Sequence, residues 1–306
     1  MKQASRRDFL KTSTGFMSLL FAGDFLANKK QQPLLSFSTL GCPDWTFADI
    51  LNFASRHRYS GIEIRGIQRQ LDLIKCPEFS SAEQITRTIR QVEDKHLKIV
   101  DLGSSAEMHH TDKTERQKNL DEAKRFIDLA GKINCPYVRV FPNKLPDDDA
   151  RAAVIDVIIE NLAELGNYAK GTNVSVLMES HGDAVKTKEL KMIMESVNHP
   201  QVGLVWDIVN MWSVTKEPPA RVYNELKAYI RHTHIKDLVW VDGKEKYVHV
   251  GKGETPIFEA IDILYKNGYT GYYSFEWEKL WHPDIGSPEE ALADYPLVMQ
   301  AHFAKK

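Results

Sequence analysis

The chain has 306 residues, 42% hydrophobic and 27% charged, with 40 Lys+Arg against 42 Asp+Glu and a formal net charge of −2. That size suits one large or two ordinary domains, with a core able to enclose deep pockets without staples. The near-neutral balance excludes a general attraction to nucleic acid or anionic membranes, and no run of eighteen apolar residues exists to span a bilayer.

Residues 1–32 differ from the rest. Arg6 and Arg7 stand side by side, Phe9 and Leu10 follow, and residues 15–23 (GFMSLLFAG) form a short apolar stretch. Paired arginines ahead of a modest apolar segment are the pattern of twin-arginine export. The sequence therefore predicts a signal over residues 1–32, cut near Ala22 or Ala27 or kept as an anchor, and a periplasmic or extracytoplasmic protein. The competing reading is an unstructured basic tail. Cys42, Cys76 and Cys135 have no pair spacing, and a chain this large needs no disulfide. They read as packed or free thiols, with one pair able to form outside the cytoplasm.

From residue 33 a single rhythm begins. Apolar runs at 34–42, 61–66, 97–105, 137–143, 174–182, 202–210, 230–237 and 272–278 each precede a stretch with helical spacing, as in Ile127, Ala130 and Ile133. Nearly continuous apolar runs suit strands buried on both faces of a parallel sheet. Eight strand–helix pairs in one uninterrupted domain, residues 33–306, predict a (β/α)8 TIM barrel in the α/β class. A doubly wound open sheet competes, but residues 39–45 (TLGCPDW) lack the G-x-G-x-x-G turn such folds place after the first strand. The one irregularity is Asp242-Gly243 between alternating apolar residues, which predicts a hairpin after the seventh strand.

Active sites of such barrels lie at the C-terminal strand ends. The fifth strand ends at Glu179 and His181, the sixth at Asp207, the seventh at His234 and the eighth at Glu276. Glu179, Asp207 and His234 are 28 and 27 residues apart, one repeat each, and the hairpin lengthens the last step. Singly, each would pass for a helix cap or a solvated loop residue. Four in phase are a site. Three buried carboxylates would repel one another, and a divalent cation removes that conflict. Oxygen ligands with one nitrogen suit manganese, magnesium, cobalt or zinc, manganese being the first choice here. His232 is expected to face away from His234.

Three stretches then carry a resemblance: residues 36–65 (SFSTLGCPDWTFADILNFASRHRYSGIEIR), residues 232–237 (HTHIKD) and residues 251–278 (GKGETPIFEAIDILYKNGYTGYYSFEWE). The sequence resembles the xylose isomerase-like (AP endonuclease family 2) barrels, which hold sugar epimerases, isomerases and inosose dehydratases. The resemblance implies a metal held by Glu179, Asp207, His234 and Glu276. It also exposes departures. Asn210 stands where the ketose 3-epimerases have a histidine, Val185 where they have a glutamate, and Trp240 where they have an arginine. A free ketohexose is therefore not the expected substrate, and the histidine ligand that the DNA-repair branch needs at the Asn210 place is missing from this chain, which argues against an endonuclease.

A cation in such a cup can polarise a carbonyl and stabilise the enediolate formed when the neighbouring carbon loses its proton. Glu179 and Glu276, on strands that flank the substrate, are the expected acid/base pair. Returning the proton on the other face gives an epimerase, moving it to the next carbon an isomerase, and expelling a β-group a lyase or dehydratase. The substrate is expected to be a keto-sugar, keto-glycoside or related polyol, and a non-catalytic carbohydrate-binding barrel is the alternative. Glu63, Arg65, His110, Arg139, His181, Asn210, Lys236 and Trp240 are the expected substrate-side residues. Arg65 or Arg139 suits a carboxylate or a pair of hydroxyls. A homo-oligomer is compatible with the sequence.

Overall fold

The computed structural model describes residues 33–306; the expected export segment, residues 1–32, lies outside the described residues. The elements run β1 (Leu34–Ser38), α1 (Phe47–Arg56), β2 (Gly61–Ile64), α2 (Ala82–Asp94), β3 (Lys98–Glu107), α3 (Lys113–Lys132), β4 (Tyr137–Phe141), α4 (Arg151–Ala169) and β5 (Ser175–Glu179). Then come α5 (Thr187–Val197), β6 (Val202–Asp207), α6 (Ile208–Thr215), α7 (Pro219–Leu226), β7 (Ile230–Ile235), β8 (Asp237–Val241), β9 (Lys244–Val248), α8 (Ile257–Lys266), β10 (Tyr272–Phe275) and α9 (Pro288–Phe303). Eight parallel strands close into a barrel in the order β1-β10-β7-β6-β5-β4-β3-β2. The predicted (β/α)8 architecture is what the chain forms.

Several helices start where a side chain satisfies their first N–H groups. Thr46 and Asp49 make a reciprocal capping box on α1, Asp112 accepts from Thr114 and Glu115 on α3, and Ser287 caps α9. Each such cap contributes about 1 kcal/mol. The apolar stripes then pack on the outside of the barrel: Phe47, Ile50, Leu51 and Ala54 of α1, and Phe126, Ile127 and Ala130 of α3, are buried.

The strands are buried on both faces, but the faces differ in chemistry. Phe37, Ile62, Leu102, Val138, Val176, Leu204, Ile235 and Phe275 belong to the hydrophobic layer between barrel and helices. The alternate residues turn into the lumen. Register puts Ser36, Ser274, His234 and Asp207 on one level, and Ser38, Glu63 and Asp101 on another. The apolar runs thus hid a polar interior. The hydrophobic effect holds the barrel from outside, at roughly 25 cal/mol for each Å² of apolar surface removed from water.

One detail differs from expectation. The segment after β6 holds two short helices, α6 and α7. Asp207, the last strand residue, accepts from the Asn210 amide and so caps α6 itself. The second of them, α7, ends at Leu226, four residues before β7 begins. The hairpin forms as expected, with Asp242 and Gly243 at φ 51° and 75°, the left-handed pair that a tight two-residue turn requires.

Candidate active site

Glu179, Asp207, His234 and Glu276 meet at the C-terminal mouth, each buried, with one donor atom apiece within 4.8 Å of all the others. His234 Nδ1 lies 3.4 Å from Glu179 Oε1, 3.4 Å from Glu276 Oε1 and 3.9 Å from Asp207 Oδ2. The strand positions explain the convergence. Asp207 and His234 are paired across β6 and β7, and Glu179 ends β5 beside Val205. Ser180 Oγ accepts the Asp207 amide hydrogen bond at 2.9 Å and so fixes the last residue of β6.

A second set of contacts lies beneath. Glu63 Oε2 takes hydrogen bonds from His232 Nε2 at 3.0 Å, His234 Nε2 at 3.1 Å and Ser274 Oγ at 3.1 Å. Burial pushes the Glu63 carboxyl up, but His234 and His232 outweigh it and hold the group well below the carboxylate range. An ionised carboxylate only accepts, so both Nε2 atoms carry the hydrogen. In neutral His234 the Nδ1 lone pair then faces the three acids. Such carboxylate–histidine support is how proteins orient imidazole ligands.

Glu179 Oε2, Asp207 Oδ2 and His234 Nδ1 are buried with no aligned hydrogen-bond partner. Lys236 fills part of the gap: its Nζ lies 2.7 Å from Asp207 Oδ2, 2.8 Å from Glu276 Oε2 and 2.6 Å from Glu278 Oε1. The Asp207 contact is close without being aligned as a hydrogen bond, so we read it as charge proximity. Burial raises Asp207 to about 7 despite Lys236. Burial also opposes ionisation of Glu179 and Glu276, but the charge of His234 leads the forces that hold both low, helped by Arg139 at Glu179 and Lys236 at Glu276. His234 is driven the other way. Burial disfavours its cation, and Glu276, Glu63 and Glu179 more than reverse that. The acids therefore pull a proton onto Nδ1, where a divalent cation would compete with it. Three carboxylates and one imidazole nitrogen converging on a single buried point fit such a cation, and these four residues could hold it.

The other expected residues divide into three groups. Arg139 is buried in the lumen, its Nε 3.1 Å from Glu179 Oε2 and its guanidinium 3.8 Å over the Phe141 ring. Arg65 is buried beside it, donating to Ser105 Oγ at 2.9 Å. Lys236 is in the cup already described. Further out, His181 Nδ1 meets Asn143 Oδ1 at 2.8 Å, and Asn143 also donates to Glu107, which bonds His110 Nε2 at 2.9 Å. His110 and His181 thus belong to one network at the rim. Trp240 packs against Trp212, with Lys216 Nζ 3.9 and 4.0 Å from the two rings, so it lies in the hairpin contact with α6.

Three expectations need correction. Glu63 supports His234 from below and is fully buried, so its carboxylate is committed to the histidines and not turned to a substrate. Asn210 meets the site through its backbone, by the amide bond that orients Asp207. His232 faces the same way as His234, because residues two apart on a strand share a face. Sequence reading missed Asp101, Asn143, Tyr247 and Glu278. Glu278 had a signal, since it lies two residues past Glu276; it accepts from Lys236 and from the Tyr247 hydroxyl.

The three cysteines are buried and free. Among the described residues no helix is long and apolar enough to cross a membrane.

Known proteins share this arrangement of strands. The chain is 22% identical over 252 residues to a 3-dehydroshikimate dehydratase of Bacillus anthracis, covering 76% of this chain and 85% of the relative. It is 24% identical over 251 residues to an inosose isomerase of Halalkalibacterium halodurans, covering 79% and 86%. The crystal structure of the IOLI protein with a bound zinc atom superposes with a TM-score of 0.72 at 19% identity, covering 89% of this chain and 98% of that one. The model of the xylose isomerase-like TIM barrel family matches residues 51–298, and the chain belongs to that family.

Proposed function

We propose that the protein is a divalent-metal-dependent enzyme that moves a proton beside the carbonyl of a small keto-sugar or related polyol, as an isomerase or epimerase. The observation that carries this reading is the convergence on His234 Nδ1 of Glu179 Oε1 at 3.4 Å, Glu276 Oε1 at 3.4 Å and Asp207 Oδ2 at 3.9 Å, all buried. Manganese suits this oxygen-rich set first; magnesium, cobalt and zinc are compatible. The ion, when bound, supplies Lewis-acid polarisation of the carbonyl and neutralises charge growing on its oxygen.

The remaining work falls to the chain. Glu179 and Glu276 end strands on different sides of the cup and are the groups placed to take and return a proton. Arg139 keeps Glu179 ionised and aimed inward, and Lys236 does the same for Glu276. The polar lumen holds these acids rigidly from behind, so little reorganisation is needed during the proton transfer. A dehydratase outcome uses the same proton abstraction followed by loss of a β-group. The dehydratase named among the relatives, aligned over 85% of its own length, supports keeping that second reading. The Arg6–Arg7 pair supports an extracytoplasmic place of action.

Protein reconstituted with Mn²⁺ should retain about one ion per chain by elemental analysis, and Glu179→Gln much less. Full occupancy in the variant removes Glu179 from the metal set. In D₂O, wild type should place deuterium on the carbon next to the carbonyl of a keto-sugar or inosose. Binding of such probes with no exchange in any of them would sink the enzyme reading and leave a carbohydrate-binding barrel.

A further inference from the structure

Arg65 stands apart from the other cations of the barrel mouth. Arg139 lies against Glu179, and Lys236 touches three carboxylates. Arg65 is 4% exposed, yet among the described residues no carboxylate comes within ion-pair distance of it. Its recorded partners are neutral oxygens: Ser105 Oγ at 2.9 Å and the Gly103 carbonyl at a long 3.4 Å.

The surroundings make that isolation costly. Arg65 and Arg139 run past each other at Gly103. A Cβ there would fall 2.8 Å from Arg65 Cδ and 2.9 Å from Arg139 Nη2, so only glycine lets the two guanidinium side chains come this close. Burial first, then Arg139, pulls Arg65 down to about 9, against the more distant carboxylates of Glu122, Glu179 and Glu276. Two of those three belong to the metal cup, so a bound cation would take up much of their field. The third, Glu122, is bonded to the Ser105 amide. The Trp281 ring, 6.0 Å from the guanidinium carbon, walls the far side.

A buried charge costs free energy unless a counter-charge is supplied, and a ligand can supply one. Sugar hydroxyls satisfy donors but not the charge. A carboxylate satisfies both, with two oxygens matching the guanidinium fork. We propose that Arg65 anchors a carboxylate of the substrate, so that the enzyme acts on an anionic polyol (a uronate or a carboxylated carbocycle) and not on a neutral sugar. The proposal rests on the proton-transfer reading above, which places a substrate at this mouth. Carboxylate fits better than a phosphate ester, because one free guanidinium offers too few donors for a dianion with three free oxygens.

The test uses matched probes on the Mn²⁺-loaded protein by calorimetry: D-glucuronate against D-glucose, and quinate against myo-inositol. One charge-assisted pair predicts that the carboxylated member of a pair binds about tenfold tighter or more. Arg65→Gln should bring the ratio close to one, and Arg65→Lys should retain part of it. Unchanged metal content in both variants certifies that the fold is intact. A wild-type ratio near one, a ratio that survives in Arg65→Gln, or no binding of either carboxylated probe at about 10 mM overturns the proposal. Glucose 6-phosphate outranking glucuronate overturns it as well. Deuterium exchange into keto-sugars is read separately on the same wild-type preparation. Exchange with no carboxylate preference defeats only the anion proposal; a preference without exchange defeats only the enzyme reading.

Discussion

The two halves of the barrel mouth carry opposite charge chemistry. β5, β6, β7 and β10, adjacent in the sheet, contribute Glu179, Asp207, His234 and Glu276. Across the lumen, β4 carries Arg139, and Arg65 follows directly after β2, with Gly103 and Ser105 of β3 between them. In the readings proposed above, one half would hold a cation and the other would meet an anion. The difference teaches that the mouth of the lumen is lined by buried charged groups while the hydrophobic layer lies outside the strands. The apolar layer outside the strands keeps the barrel closed, so charges can be spent inside it on chemistry.

Lys236 is the exception that crosses this division, a cation lodged in the acidic half. Replacing it is expected to have the largest effect. Lys236→Met removes the ammonium that touches Asp207 and Glu276. Metal retention should hold or improve, because a competing positive charge is gone. The deuterium-exchange rate should nonetheless fall by about 10²–10³, the usual cost of deleting one charge-stabilising donor. Metal titration against a chelator and exchange rates measured on the same sample separate the two effects. Loss of metal in parallel with rate would mean that Lys236 only organises the cup.

Glu63→Gln sharpens the comparison from below. Glutamine keeps the shape but replaces the accepting charge that both histidines face. The Nε2–H tautomer of His234, which leaves Nδ1 free for the ion, is then no longer enforced. Metal affinity should drop by roughly 10–100-fold, as for other supporting carboxylates, with little change in thermal stability of the metal-free protein. Unchanged affinity would show that Asp207, Glu179 and Glu276 fix the ion without help.

The acidic half was legible in the sequence because a strand–helix repeat carries phase. Once Glu179 is placed at a strand end, spacings of 28 and 27 residues deliver Asp207 and His234 to the same level. The support beneath was not legible, because Glu63 meets His232 and His234 across 169 and 171 residues. Nothing local announces that pairing. His232 shares the face of His234, because residues two apart on a strand lie on one side, and both therefore reach Glu63. α6 was hidden for another reason. Its sequence is apolar and continues the β6 run, and only Asp207 acting as its cap turns the chain from strand to helix. The polar lumen was masked in the same way, because Asp101 or Arg139 alone in an apolar run looks like an interruption.

Asp101 gives the smallest expected effect and the cleanest sign. It lies on β3 in the lumen, level with Glu63, and neither of its carboxyl oxygens has a hydrogen-bond partner. Burial first, then the charge of Glu63, raises it to about 8. An unfolded aspartate titrates near about 4. Between those values the unfolded chain has released the proton that the folded chain still holds, so raising the pH favours unfolding. The metal-free protein should therefore lose stability from this group as pH climbs from about 4 to about 8, with no further loss above. Asp101→Asn keeps the neutral shape at every pH. Its melting temperature should exceed that of wild type by at least about 2 °C near pH 8, and the gap should shrink steadily toward pH 5. A gap of the same size at both ends would mean that Asp101 is ionised in the fold, balanced by Arg139, and the lumen would then hold one more fixed negative charge opposite the cup.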